Sequence, residues 1–192
     1  MKISDIPYDM TFIFGPNLRE VPVSKIQMLN GMVYIMEQLK SNRFTDEEQG
    51  KWNGILGNYL RIVGELEESE KHLKASIDIY NRLGQLQGVF TNKLRLAHTY
   101  QWWTNYEVSN DMFGELLELA ETDPDYSHFL DFIYQHCGKN QFDQKHFHEA
   151  LDYFDKSLAL RLEKGDEELI SITKADIEAC EYRLDHPEKF AK

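Results

Sequence analysis

Two cysteines in 192 residues, Cys137 and Cys180, are too few for a disulfide framework. Both fall inside helical patterns, where a free thiol behaves as a small buried hydrophobe. Only five prolines interrupt the chain, which leaves room for long unbroken elements. No apolar run approaches the roughly 18 residues of a membrane span. The start, Met1 to Asp9, carries Lys2, Asp5, Pro7 and Asp9 in place of an apolar stretch, so no signal peptide is expected and a cytoplasmic location is. Basic residues are scarce: 21 Lys and Arg against 33 Asp and Glu give a formal net charge of -12. Neutralising phosphates needs clustered Lys and Arg, which argues against nucleic acid as a partner. The same sign disfavours an anionic membrane surface. A glycine-rich phosphate loop is missing too, since Gly84 and Gly88 sit where helix ends need them.

What is present is a repeat. Leu56-Gly57 is followed after thirteen residues by Ser69, Leu96-Ala97 by Ser109, and Cys137-Gly138 by Ala150. Four positions after each later residue stands an apolar one: Leu73, Phe113 and Phe154. Gly57, Ala97 and Gly138 lie 40 and 41 residues apart, a period that signals stacked helix pairs. A small residue on each helix lets the two approach closely, and the bulky residue one turn later fills the space between pairs.

The three segments resemble tetratricopeptide repeats, whose pattern is W-x2-L-G-x2-Y followed by A-x3-F. The matching stretches are Asn53-x2-Leu56-Gly57-x2-Leu60 with Ser69-x3-Leu73, Lys93-x2-Leu96-Ala97-x2-Tyr100 with Ser109-x3-Phe113, and Tyr134-x2-Cys137-Gly138-x2-Gln141 with Ala150-x3-Phe154. The family's proline after each second helix is missing, and longer links around Leu83-Gly84-Gln85 and Lys164-Gly165-Asp166 replace it, as in the longer-period variety of the family. The resemblance implies an all-α chain: a right-handed α-solenoid of about three helix hairpins, over residues 46–84, 86–122 and 125–164.

The flanks complete this plan. Residues 1–21 stand outside the repeat as an extended segment; Tyr8 to Phe14 reads as an extended stretch or short strand stopped by a turn at Gly15-Pro16. Val23 to Leu39 has the spacing of an amphipathic helix. Its Leu29, Val33 and Met36 lie 40 residues before Ser69, Leu73 and Ser76, which makes it a leading half-repeat with those residues facing inward. Thr45-Asp46-Glu47-Glu48 is a capping box that opens a helix running to Val63 and stopping at Gly64. Asp123-Pro124 is expected to cap and open another helix near Asp125. Glu167 to Leu184 reads as a capping helix, and 185–192 as a frayed tail. One helical domain over 22–184 is expected.

In the resembled family the first helices line a concave groove suited to a peptide or a partner's helix. With Leu56, Gly57 and Leu60 in the packing, geometry places Lys51, Asn58, Arg61 and Ile62 toward the groove. Equivalent faces are Thr91, Arg95, His98, Gln101 and Trp102, then Phe132, Gln135, His136, Lys139 and Phe142. The set has four fixed positive charges, two histidines and three aromatics, and no carboxylate. A wall of this kind suits an acidic or carboxylate-ended peptide, held by charge-assisted hydrogen bonds from Arg61 and Arg95 and by stacking on Trp102. The family's clamp for a terminal carboxylate is matched at Asn58 and Arg95, but Gly54 and Phe132 stand where it has lysines, so chaperone tails are not the expected ligand.

The densest polar cluster, His136, Cys137, Asp143, His146 and His148, does not form a metal or nucleophile site by spacing. His136 and Cys137 point in different directions on a helix, and His146-x-His148 lacks the one-face spacing of a zinc helix. No enzyme activity, cofactor or metal is therefore expected. Two functions remain open. One is a noncatalytic adaptor or regulator that holds a peptide of another protein in the groove. The other is a stoichiometric inhibitor or immunity-type protein that blocks a basic enzyme through the acidic run Glu65, Glu67, Glu68 and Glu70. Partner identity and oligomeric state are not encoded in these patterns.

Overall fold

The computed structural model describes residues 1–41 and 43–190. The chain forms two compact units, Met1–Thr104 and Asn105–Lys192, and the boundary falls inside the expected second repeat. Among the described residues there are eight α-helices and one two-stranded sheet, and no helix is long and apolar enough to cross a membrane.

The first unit begins with a hairpin of β1 (Phe12–Phe14) and β2 (Glu20–Pro22), antiparallel with Ile13 opposite Val21. Helices α1 (Lys25–Lys40), α2 (Asp46–Val63), α3 (Leu66–Leu83) and α4 (Leu86–Trp102) follow, each packed on the one before it. The capping box at the head of α2 is closed in both directions: Glu48 N donates to Thr45 Oγ1 at 3.2 Å, and Thr45 N donates to Glu48 Oε2 at 3.0 Å. At the other end Gly64 has φ 91°, a left-handed conformation that glycine adopts without penalty, and Glu65 N donates to Leu60 O at 2.9 Å. The core is an apolar cluster of Met28, Met32, Ile35, Trp52, Leu56 and Leu60, joined by Ile6 and Met10 from the N-terminal segment.

The second unit contains α5 (Tyr106–Thr122), α6 (Leu130–Asp143), α7 (Phe147–Lys164) and α8 (Glu167–Asp185), again packed in succession.

Close approach within a helix pair is visible where the small residues predict it. A Cβ on Gly57 would stand 2.6 Å from Leu73 Cγ, and one on Gly138 would stand 2.5 Å from Phe154 Cε1. Leu73 and Phe154 are wholly buried. Hydroxyls tie the pairs as well. Ser76 Oγ donates to Gly50 O at 2.6 Å and Ser157 Oγ donates to Asp131 O at 2.8 Å, each across 26 residues of chain. The link to the next helix also recurs: Ser69 Oγ meets Thr99 Oγ1 at 2.9 Å across 30 residues, and Ser109 Oγ donates to Asn140 Oδ1 at 2.9 Å across 31. The 40-residue period is thus written in hydrogen bonds as well as in packing.

Three expectations need correction. In α1 the buried residues are Met28, Gly31, Met32 and Ile35, whereas Leu29 and Val33 are exposed. The helix is rotated by about one residue because Ile6 and Met10 seat against Gly31, where no side chain intervenes. Helix α6 starts at Leu130, not near Asp125. Asp125 N donates to Asp123 Oδ1 at 3.0 Å, which makes a local turn, and a 3-10 turn over Ser127–Phe129 precedes the helix. Finally, the short strand allowed within Tyr8–Phe14 is β1, but it is paired with a second strand from Glu20 that the sequence reading does not include.

Because Phe154 closes the space over Gly138, Phe154→Ala should lower unfolding free energy by about 3–5 kcal/mol in urea titration, whereas Leu162→Ala, at a residue 55% exposed, should cost under about 0.5 kcal/mol. Equal losses would contradict this packing.

Candidate functional site: the charged faces of the first helices

Each unit gathers the charged residues of its leading helices into a partly buried set, and the two sets differ in what neutralises them.

In the first unit the expected residues are Lys51, Asn58 and Arg61 on α2 and Arg95, His98 and Trp102 on α4. Lys51 is exposed and lies ten residues before Arg61 on the same helix, or roughly 15 Å along its axis. Arg61 is only 1% exposed, which an open groove residue would not be. Its guanidinium holds Glu20 of β2 in a two-pronged pair, Nη1 to Oε2 at 2.9 Å and Nη2 to Oε1 at 2.8 Å, and Nη2 also donates to Asn58 Oδ1 at 3.0 Å. The planar fork of an arginine matches both oxygens of a carboxylate at once. The same guanidinium lies over the Trp102 ring at 4.6 Å from its centroid, and Arg19 approaches that ring at 5.1 Å. His98 is buried and stands edge-on to Trp102 at 6.1 Å. The expected acid-free wall is therefore corrected: the hairpin brings a carboxylate into it.

Arg95 is placed differently. It is half-buried, and its Nη1 donates to Asn92 Oδ1 at 3.2 Å. Asn92 is itself buried and donates from Nδ2 to Gly88 O at 2.8 Å. Burial, reinforced by the charge of Arg61, pulls the Arg95 guanidinium below its ordinary pKa, against the pull of the Tyr80 and Tyr59 phenols. Among the described residues no carboxylate pairs with it. The Trp102 Nε1–H, also buried, has no acceptor among them.

In the second unit Gln135, Lys139 and Phe142 are all buried rather than lining an open wall. Asp131 shares their stripe on α6, and α7 and α8 supply Arg161 and Asp176. Arg161 Nε donates to Asp131 Oδ2 at 3.3 Å, and its Nη1 donates to Gln135 Oε1 at 3.0 Å and to Thr173 Oγ1 at 2.6 Å. Lys164 Nζ reaches Asp131 Oδ1 at 2.5 Å. Lys139 Nζ lies 3.6 Å from Asp176 Oδ2, to which Gln135 Nε2 also donates. Burial raises the Asp176 carboxyl to about 6, although Lys139 draws it the other way. These cations already have acids, so this face is a structural network.

The remaining cluster also separates. Cys137 is buried, and burial pushes its thiol up to about 12, too high for a nucleophile at neutral pH. His146 pairs with Gln141 at 2.9 Å, and His148 is exposed. Among the described residues no group of three or more His, Cys, Asp or Glu is arranged to hold a metal ion.

Sequence reasoning missed Glu20, Asn92, Asp131, Arg161 and Asp176. Signals for two of them existed. Gly15-Pro16-Asn17 is a turn between two runs of strand-forming residues, which marks a hairpin carrying Glu20. Asp131 stands at helical spacing from Gln135 and Lys139, on one face. Comparisons of the sequence with models of known protein families and with curated proteins gave no match.

The raised pKa of Asp176 makes a prediction about stability. The folded chain holds this proton more tightly than the unfolded chain, whose value is 3.8. The contribution is full below about pH 4 and is lost as pH rises through about 6. Asp176→Asn mimics the protonated form, so in urea titrations the variant should gain on the parent by roughly 1–3 kcal/mol between pH 4 and pH 7. Parallel profiles would show that Asp176 titrates normally.

Proposed function

We propose that the chain is a noncatalytic protein-binding module of tetratricopeptide type, a right-handed stack of about three helix hairpins with a leading half-repeat helix and a closing helix. Its cationic, aromatic face in the unit Met1–Thr104 takes an acidic, extended segment of another protein. The recurring serine links at 26 residues and at 30 and 31 residues support the repeat.

The observation that carries the binding reading is Arg95. A guanidinium cannot shed its proton at any working pH, so partial burial beside Arg61 leaves a charge that a carboxylate would stabilise. Asn92 fixes the orientation of that guanidinium, and a fixed fork loses little freedom on binding. Trp102, seven residues further along α4, adds a buried N–H donor without an acceptor among the described residues, while its ring is engaged by Arg61 and Arg19. An extended acidic segment matches these features, with carboxylates for Arg95 and a backbone carbonyl for the indole N–H.

The alternative, an acidic outer surface that blocks a basic enzyme, draws less support. On α3, Glu68 pairs with Lys71 at 3.3 Å and Glu70 with Lys74 at 2.6 Å, so part of that acid is already neutralised on its own helix.

Synthetic peptides bearing clustered glutamates, and their glutamine counterparts, can be titrated by fluorescence anisotropy. A hydrogen bond to a charged group contributes about 1.5–3 kcal/mol, so Arg95→Glu should weaken binding of the glutamate peptides at least roughly tenfold. Neutralising Glu67 and Glu68 should leave binding within about twofold. The reverse pattern would move the binding surface to α3.

A further inference from the structure

We propose that the segment Thr11–Val23, which contains the β1–β2 hairpin, is a built-in competitor for the face of α2 and α4, a displaceable strap whose Glu20 fills the acidic subsite on Arg61. This inference rests on reading that face as a binding surface, and it adds how access to it is regulated.

The strap has the build of a removable ligand rather than of core. Within Thr11–Val23 only Leu18 and Glu20 are buried. Phe12, Ile13, Phe14, Val21 and Val23 are between 38% and 61% exposed, so among its large apolar side chains only Leu18 anchors it. A lone two-stranded sheet with three residues per strand is marginal by itself. Its turn holds Leu18 at φ 59°, a left-handed conformation that is unfavourable for a leucine. The Arg61–Glu20 pair fixes geometry, yet burying two charges offsets much of their attraction. A partner carboxylate can therefore exchange with Glu20 at small net cost.

Both ends of the strap are pinned independently. Before it, Ile6 and Met10 are buried in the apolar cluster with Met28 and Met32. After it, Ser24 caps α1 by accepting from Gln27 N. Thr11–Val23 can open as a closed loop while helix packing is maintained, and closure is then intramolecular, with the high effective concentration of a tethered ligand.

The occupant also shows what the subsite accepts: a carboxylate on a side chain of an extended backbone. Glu20 lies in a strand and is flanked by Arg19 and Val21. Its Phe14 partner in the sheet shows that an aromatic can sit across from the acid. A foreign segment that displaces the strap carries a Glu or Asp within an extended run, rather than a helix.

Two readouts on the full chain test this. In hydrogen exchange followed by mass spectrometry, Glu20→Gln should raise exchange in 11–23 by roughly tenfold or more, with the protection of α2 unchanged, which also reports that the variant is folded. Leu18→Gly, which removes the buried apolar anchor and keeps the ion pair, should open the same segment. In the second readout, a synthetic peptide with the sequence of residues 11–23 should bind the Glu20→Gln chain at least roughly tenfold more tightly than the parent, whose own strap competes, and its glutamine form should bind neither. Exchange of 11–23 in step with α2, or equal binding of the peptide to both chains, would overturn the proposal. Neither readout uses a foreign partner, so failure of glutamate peptides to bind through Arg95 would count against the binding reading alone.

Discussion

Everything in this chain depends on two helices of a pair crossing with almost nothing between them. Gly57 and Gly138 are each overlaid by a large buried side chain from the following helix, Leu73 and Phe154 respectively, at distances a Cβ could not tolerate. Backbones this close bring carbonyls within reach of short hydroxyls, which explains why Ser76 and Ser157 bond to Gly50 and Asp131 across the same length of chain. A buried serine is costly if unpaired, and here each crossing supplies the acceptor. Packing and polar satisfaction are thus one constraint, met twice in the chain at the same spacing.

That constraint is local, and local constraints were the ones legible in the sequence. Thr45 and Glu48 announce the start of α2, and Gly64 announces its end, because caps act within four residues of themselves. The ends of α3 and α7 follow from the same kind of signal, at Gly84 and Gly165. Where the outcome depended on a segment arriving from elsewhere, reading failed. The face of α1 is set by Met10 and Ile6, which approach Gly31 from outside the repeat, so the 40-residue phase pointed to Leu29 and Val33 when Met28 and Met32 are the buried pair. At the head of α6, Asp123 offered two uses for its side chain, a helix cap or a turn, and the turn won.

The same distinction explains the charged faces. Arg61, Arg95 and Lys139 lie on α2, α4 and α6, but whether a cation is open or already paired depends on acids that belong to other elements. Glu20 comes from a hairpin outside the repeat, and Asp176 comes from α8. Neither falls on the stripe from which absence of acid was inferred. A stripe read from one helix reports its own residues, and burial in a stack is decided by the next element to cover it.

Pairing also distinguishes the two units. In Asn105–Lys192 the cations Arg161, Lys164 and Lys139 each meet a carboxylate, and Gln135 and Thr173 bind the remaining polar atoms. The acids of this network, Asp131 and Asp176, sit on the packed helices α6 and α8, so a newcomer would have to disturb the helix packing as well as break bonds already made. In Met1–Thr104 the charges are unequal: Arg61 is matched by Glu20, and Arg95 has an amide oxygen alone. Burial and the neighbouring Arg61 charge lower Arg95's hold on its proton, so an acid arriving beside Arg95 would stabilise that charge. The asymmetry between Arg61, held by a carboxylate, and Arg95, held by an amide oxygen, rather than the overall acidity of the chain, is what favours this face in the proposal that the chain binds a partner.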